Sequence, residues 1–210
     1  MLKLQIIIGS TREGRNADSV CRWLVPVVKS RTDFETEILD LRDWTLPMFQ
    51  ETIATVGDFK NPTYSEPIVK RWNTKIAEAD AYLIVTPEYN HSVPAVLKNA
   101  IDSVFFSFAF RHKPVAFAGY SLGSTGGVRC VEHLSQVMME TDAVAIRTPT
   151  LVPTVTSAFD PEGKPLNPAL NVGLTVMLDD LAWMGSALKT ARGVGEQPPA
   201  ALRIRAAGGR

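Results

Sequence analysis

Three short stretches carry the residue types from which a ligand site can be built. The first is Gly9-Ser10-Thr11-Arg12-Glu13-Gly14-Arg15-Asn16, which follows an apolar run and precedes a helical pattern. Such a loop presents backbone N–H groups and the positive end of a helix dipole, a ready seat for a phosphate. Ser10 and Thr11 can donate hydroxyl hydrogen bonds, Arg12 or Arg15 charge-assisted ones, and Asn16 stands where a helix cap belongs. Gly9 and Gly14 have Walker A spacing, but Arg15 and Asn16 replace its Lys and its magnesium-binding hydroxyl, so nucleotide hydrolysis is poorly served. A dinucleotide fingerprint is also absent, and a lone phosphate is the better fit.

The second stretch runs from Thr86 to Asp102, with Pro87 and Pro94 stiffening a segment crowded with hydrogen-bonding groups. A planar heterocycle can lie against such a backbone and take bonds from its N–H groups, with Tyr89 or His91 beside it. The third, Gly119-Tyr120-Ser121-Leu122-Gly123, fits the G-x-S-x-G nucleophile elbow of α/β-hydrolases. That rival class needs an acid and then a histidine further along the chain. After Ser121 the one histidine is His133, with Glu132 the one acid between them. Adjacent residues of one helix point to different sides and cannot serve the serine together.

These loops must be positioned by regular elements. Leu4–Ile8, Ala81–Thr86 and Pro114–Gly119 read as buried strands, Phe34–Leu41 as a strand nearer the edge, and Ala143–Arg147 as a weak fifth. Helical spacing covers Asn16–Ser30, Tyr64–Ala79, a segment from Pro94 to Phe105, Gly126–Met139 and Ala169–Thr190. Residues 42–63 and 148–168 read as loops, and Gly193–Arg210 as a mobile tail beyond a single domain of residues 1–192. Five strands alternating with helices imply a parallel sheet covered on both faces, whose ligands bind beyond the carboxyl ends of the strands.

Composition bounds the function. The 210 residues balance 22 Lys and Arg against 22 Asp and Glu, which argues against a nucleic-acid binder with a broad basic surface. Cys21 and Cys130 make neither a disulfide framework nor a metal-ligand pattern, and read as buried thiols of a reducing compartment. No metal site is expected. The apolar N-terminal run is too short for a signal peptide or membrane span, so a soluble cytoplasmic domain is expected. Trp23, Trp72 and Trp183 lie on apolar helical stripes, as core or subunit-contact residues.

The string PEYNHSVPAVLKNAID, from Pro87 to Asp102, resembles the signature of NAD(P)H-dependent FMN reductases with a flavodoxin-like fold, a family of quinone, azo-dye and chromate reductases. IIIGSTREGR is similar to that family's phosphate loop, GYSLGSTGGVR to its third flavin loop, and LDDLAWM to its final helix. The resemblance implies a three-layer α/β/α sandwich with strand order 2-1-3-4-5 and one non-covalent FMN. On it, Ser10, Arg12, Arg15 and Asn16 hold the phosphate, and Pro87, Glu88, Tyr89, Asn90 and His91 line the isoalloxazine. Ser121, Leu122, Gly123 and Gly126 close the other side. No residue is expected to be catalytic, since FMN carries the chemistry. NADPH or NADH is implied as donor, with a quinone, azo compound, metal oxyanion, ferric iron or free flavin as acceptor. The family's habit implies a homodimer or homotetramer, for which Trp44, Phe49 and the segment Phe105–Phe110 offer aromatic surface. A flavodoxin-type electron carrier and a flavin-based redox sensor are the rival functions. Against the carrier, the chain is neutral where such carriers tend to be acidic.

Overall fold

All seven residues of β3 (Ala81–Pro87) and all seven of β4 (Pro114–Tyr120) are buried, as expected of parallel strands sandwiched between helices. The computed structural model describes residues 1–58 and 61–208; Phe59 and Lys60 of the long loop and Gly209 and Arg210 of the tail lie outside the described residues. β1 (Leu2–Ile8) pairs in parallel with β2 (Phe34–Asp40) on one side and with β3 on the other, and β3 pairs with β4. Among the described residues the order is β2-β1-β3-β4-β5, where β5 is Val144–Ala145. That is the doubly wound arrangement the sequence implied.

Strand alternation sorts the core into two layers. Leu4, Ile6, Ile8, Leu83, Val85, Ala116, Ala118 and Tyr120 face α1 (Ala17–Lys29) and α6 (Ala169–Val194). Ile7, Tyr82, Ile84, Val115 and Phe117 face α3 (Pro67–Ala77), α4 (Ala95–Asp102) and α5 (Val128–Glu140). Each large aliphatic side chain removed from water here contributes about 1.5–3 kcal/mol.

Several boundaries differ from the sequence reading. The fifth strand is split: β5 is only Val144–Ala145, and the chain returns as β6 (Thr150–Val152) beside the far end of β4, inside the segment read as loop. Pro149, which has no amide to donate, stands at the break, and an edge position tolerates it. The segment from Pro94 to Phe105 ends as an α-helix at Asp102, and Phe105–Ser107 is a separate 3₁₀ turn. A short helix, α2 (Ile53–Val56), interrupts the long loop. α6 runs through Val194, past the expected domain end at 192, and the tail contains α7 (Ala200–Ala206), which has no buried residue.

The aromatic residues also divide. Trp72 and Trp23 are core, whereas Trp183 is 71 % exposed. Phe106 and Phe110 are buried and Trp44 stacks edge-on against Trp72, whereas Phe105 is exposed and Phe49 and Phe108 are half-buried. Among the described residues no helix is long and apolar enough to cross a membrane, and no cluster of His, Cys, Asp or Glu has the form of a metal site.

Candidate functional site

The loops after β1, β3 and β4 converge on a cavity of about 390 Å³, lined by residues 12–16, 87–90 and 120–122 together with Val155. Its size falls within the range of small-molecule sites, roughly 300–1,000 Å³. A larger cavity of about 590 Å³ lies under the 47–66 loop and contains none of these strand ends. The smaller one sits at the β1/β3 switch point, where strand order reverses, and that is where open α/β sheets take their ligands.

The first loop is held open by a buried arginine. The Arg15 side chain is 1 % exposed and donates to both carboxylate oxygens of Asp40, at 2.8 and 2.5 Å, to Asp18 Oδ1 at 2.9 Å, and to the Ser10 carbonyl. Burial opposes the charge on Arg15, but these carboxylates outweigh it and hold its pKa above the ordinary value. Its guanidinium is thus committed to protein acceptors. Arg12, by contrast, is exposed, with its guanidinium carbon 3.5 Å from the centroid of the Tyr89 ring. Asn16 precedes α1 as the sequence suggested, yet its side chain makes no capping bond. Among the described residues the amides of Ser10 through Ala17 donate to no protein acceptor, an open run of N–H groups at the start of a helix. Gly14, at φ +63°, lets the loop turn there without a Cβ.

The second loop is a tight reversal. Tyr89 and Ser92 exchange backbone hydrogen bonds of 3.0 Å, and Asn90 and His91 between them have φ of +48° and +70°, the signature of a type I′ turn. Among the described residues their two amides meet no protein acceptor. Tyr89 reaches across to the first loop, its hydroxyl 2.7 Å from Ser10 Oγ. The His91 ring lies outside the cavity lining, 6.4 Å from that of His133. Glu88 presents its backbone to the cavity while its carboxylate is buried against Arg129 in the first turn of α5. Burial works against that charge, but the Arg129 side chain and the amides of Arg129 and Cys130 outweigh it and hold the carboxyl below its ordinary range.

In the third loop the Ser121 amide donates to Val152 and its hydroxyl to the Gly123 carbonyl. Leu122 and Gly123 are exposed at the rim, and Gly126 is buried behind them. His133 bonds Ser92 through Nδ1 at 2.9 Å and the Ser121 hydroxyl meets Gly123 and Thr125, so among the described residues no histidine serves Ser121 and the hydrolase alternative fails on geometry. Gly127, at φ +88°, caps α5 where a Cβ would stand 2.7 Å from the Tyr120 amide nitrogen.

Three residues of the site were missing from the sequence reading. Asp40 ends β2 and anchors Arg15, and Arg129 anchors Glu88. Tyr120, the last residue of β4, is 3 % exposed and lines the cavity, and its buried hydroxyl is turned toward Ser10 of the first loop. The signal available in the sequence was its place, directly before Ser121 at a strand end.

Fold and site together define a doubly wound domain with a cavity of small-molecule size at its switch point. The comparisons with known proteins give that class its family. Residues 2–156 match the family model of NADPH-dependent FMN reductases, and the chain belongs to that family. An NAD(P)H-dependent FMN reductase of Schizosaccharomyces pombe is 35 % identical over 135 residues, 64 % of this chain and 64 % of that protein, so the match spans somewhat under two thirds of the relative's length. A quinone reductase of Escherichia coli K12 is 33 % identical over 151 residues, 70 % of this chain and 76 % of the relative. Among solved structures, the flavoenzyme NAD(P)H:(acceptor) oxidoreductase FerB of Paracoccus denitrificans superposes with a TM-score of 0.70 at 21 % identity, covering 89 % of this chain and 98 % of FerB, a likeness of fold.

Proposed function

We propose that the chain holds one FMN non-covalently in the 390 Å³ cavity and uses it to pass electrons from NADPH or NADH to a small acceptor such as a quinone or azo compound. The observation that carries this reading is the convergence of three loops on one cavity at the switch point, two of them with amides that meet no protein acceptor among the described residues. Anionic oxygens suit the amides of residues 10–17, with Ser10 and Asn16 beside them and Arg12 as the available cation. The polar edge of a flavin ring suits the Asn90 and His91 amides, with Pro87 beneath and residues 121–126 opposite. Arg15 and Glu88 serve this site as positioning residues, each shaping a loop through a carboxylate–guanidinium pair.

When bound, FMN supplies the hydride and electron chemistry, and the chain's own residues need to bind, orient and shield it. Burial raises the pKa of Tyr120 and Arg129 offsets burial to lower that of Glu88, so each keeps one protonation state near neutral pH. Neither acts as a general acid or base. We further propose a homo-oligomer in a reducing compartment such as the cytoplasm. The exposed Trp183, Val172 and Val176 on α6 support the first. The second is supported by two free cysteines whose thiols burial raises to about 12 (Cys21) and about 11 (Cys130), keeping them unreactive.

The test is an absorbance spectrum of purified protein with FMN, followed by anaerobic titration with NADH and NADPH. Flavin bands that bind and bleach are expected, with the faster nicotinamide naming the donor. Flavin that binds without bleaching moves the function to an electron carrier or sensor, and no binding removes the cavity as a flavin site.

A further inference from the structure

We propose that His91 and His133 form an exchangeable site for one borderline-soft divalent ion such as Zn²⁺, which clamps the 89–92 turn onto α5. The two histidines lie far apart in a sequence without metal-ligand spacing, and the fold brings them together. His91 is held at φ +70° in the turn closed by the Tyr89–Ser92 backbone pair, and His133 lies in the second turn of α5. Their ring centroids are 6.4 Å apart and the planes are tilted by 40°. With metal–nitrogen bonds of about 2.0–2.1 Å, two imidazoles sharing one ion stand on the order of 5–6.5 Å apart, centroid to centroid. Both side chains are exposed, so a small rotation about their side-chain bonds aims both rings at one ion.

The surroundings suit a cation. Ser92 Oγ is 2.9 Å from His133 Nδ1 and, by accepting its N–H, leaves the Nε2 lone pair as the ligand. A metal-bound histidine almost always gives its other ring N–H to an oxygen in this way, which fixes the ring and strengthens the ligand. His91 makes no hydrogen bond among the described residues, so its ring nitrogens remain available. Arg129, the one cation on α5, is neutralised by Glu88, and the exposed Glu132 adds negative charge next to His133. Two side chains fall short of the clusters of three or more that the described residues lack, so water completes the coordination and the ion exchanges. Imidazole ligands favour Zn²⁺, Cu²⁺ or Ni²⁺ over Mg²⁺ or Ca²⁺. Asn90 lines the cavity while the His91 ring lies outside it, so the ion grips the turn from behind and the site stands independently of the flavin reading.

Zn²⁺ is titrated into the tag-free full chain by calorimetry, with Mg²⁺ as the hard-cation control. One Zn²⁺ per chain is expected, and no Mg²⁺ at the same concentration. His91→Ala and His133→Ala should each weaken Zn²⁺ binding about tenfold or more, since even the outer-shell partners of a metal contribute 10–100-fold. His112→Ala should leave it unchanged, because that imidazole is engaged with Glu196 at the other end of β4. Zn²⁺ should also raise the melting temperature of the wild type but not of the His91 and His133 variants, whose equal melting in chelator reports that they are folded. Wild type that takes up no Zn²⁺, binding within about twofold of wild type in either of those variants, or a loss in His112→Ala overturns the proposal. A second measurement needs no variant. In the wild type, Zn²⁺ should protect His91 and His133, but not His112, from acylation by diethyl pyrocarbonate, read by peptide mass, and equal labelling with and without the ion overturns the site.

Discussion

Replacing Asp40 by Asn tests the lock beneath the first loop. Asp40 accepts two hydrogen bonds from Arg15 and two more from the Arg42 side chain, at 3.0 and 3.2 Å. Burial raises its pKa, but the Arg15 guanidinium, the Arg42 amide and the Arg42 side chain outweigh burial and bring it from 3.8 down to about 2. At about 1.4 kcal/mol per pKa unit, these contacts together stabilise the native state by about 2 kcal/mol once some solvent screening is allowed for. Because the folded pKa is depressed, that contribution is fully present above pH ~4 and is lost as pH falls toward 2. In Asp40→Asn the Arg15 guanidinium, 1 % exposed, keeps Asp18 and the Ser10 carbonyl as acceptors. Breaking a buried pair on one side costs about 3–5 kcal/mol, and the surviving Asp18 bond brings the expectation to about 2–3 kcal/mol at pH 7. Urea unfolding of both proteins from pH 7 to pH 2 measures it. The gap between wild type and variant should shrink to under ~1 kcal/mol at the acid end. A variant within about 0.5 kcal/mol of wild type at pH 7, or a gap that ignores pH, refutes the reasoning.

Arg12→Ala should weaken FMN binding by about 1.5–3 kcal/mol, the range for a hydrogen bond to a charged group, and an unchanged affinity in a fluorescence titration removes Arg12 from the site. Gly127→Ala should cost more than about 2 kcal/mol, since φ +88° and a Cβ 2.7 Å from the Tyr120 nitrogen leave no room. Gly123→Ala, with nothing within 4 Å, should shift the melting temperature far less; similar losses in the two variants contradict the packing argument. Ser121→Ala should leave NAD(P)H oxidation within about threefold, because its hydroxyl contacts only Gly123 and Thr125. A larger fall contradicts this and places the Ser121 hydroxyl against the flavin or its donor.

Much of this protein is legible in its sequence because the relevant physics is local. Apolar runs ending at Gly9 and Pro87 mark strands covered on both faces, and helical spacing in Val20-Trp23-Leu24 marks the helix that covers one of them. The loop chemistry is equally local: a run of small and basic residues before a helix, and an Asn90-His91 pair suited to positive φ. Sequence pattern misplaced what depends on partners far along the chain. The edge strand breaks at Pro149 because only its distant neighbour β4 defines where pairing resumes. Arg12 and Arg15 are the same residue type three positions apart, yet one faces the cavity and the other is sealed. The difference is Asp40, 25 residues on, which the β1–β2 register sets beside the loop. The bond from Ser10 to Tyr89 crosses 79 residues, and the exposure of Trp183 follows from which face of α6 the sheet covers. Periodicity and turn chemistry determined which loops make the site. Sheet register, which no local window contains, decided which of their side chains remain free to meet a ligand.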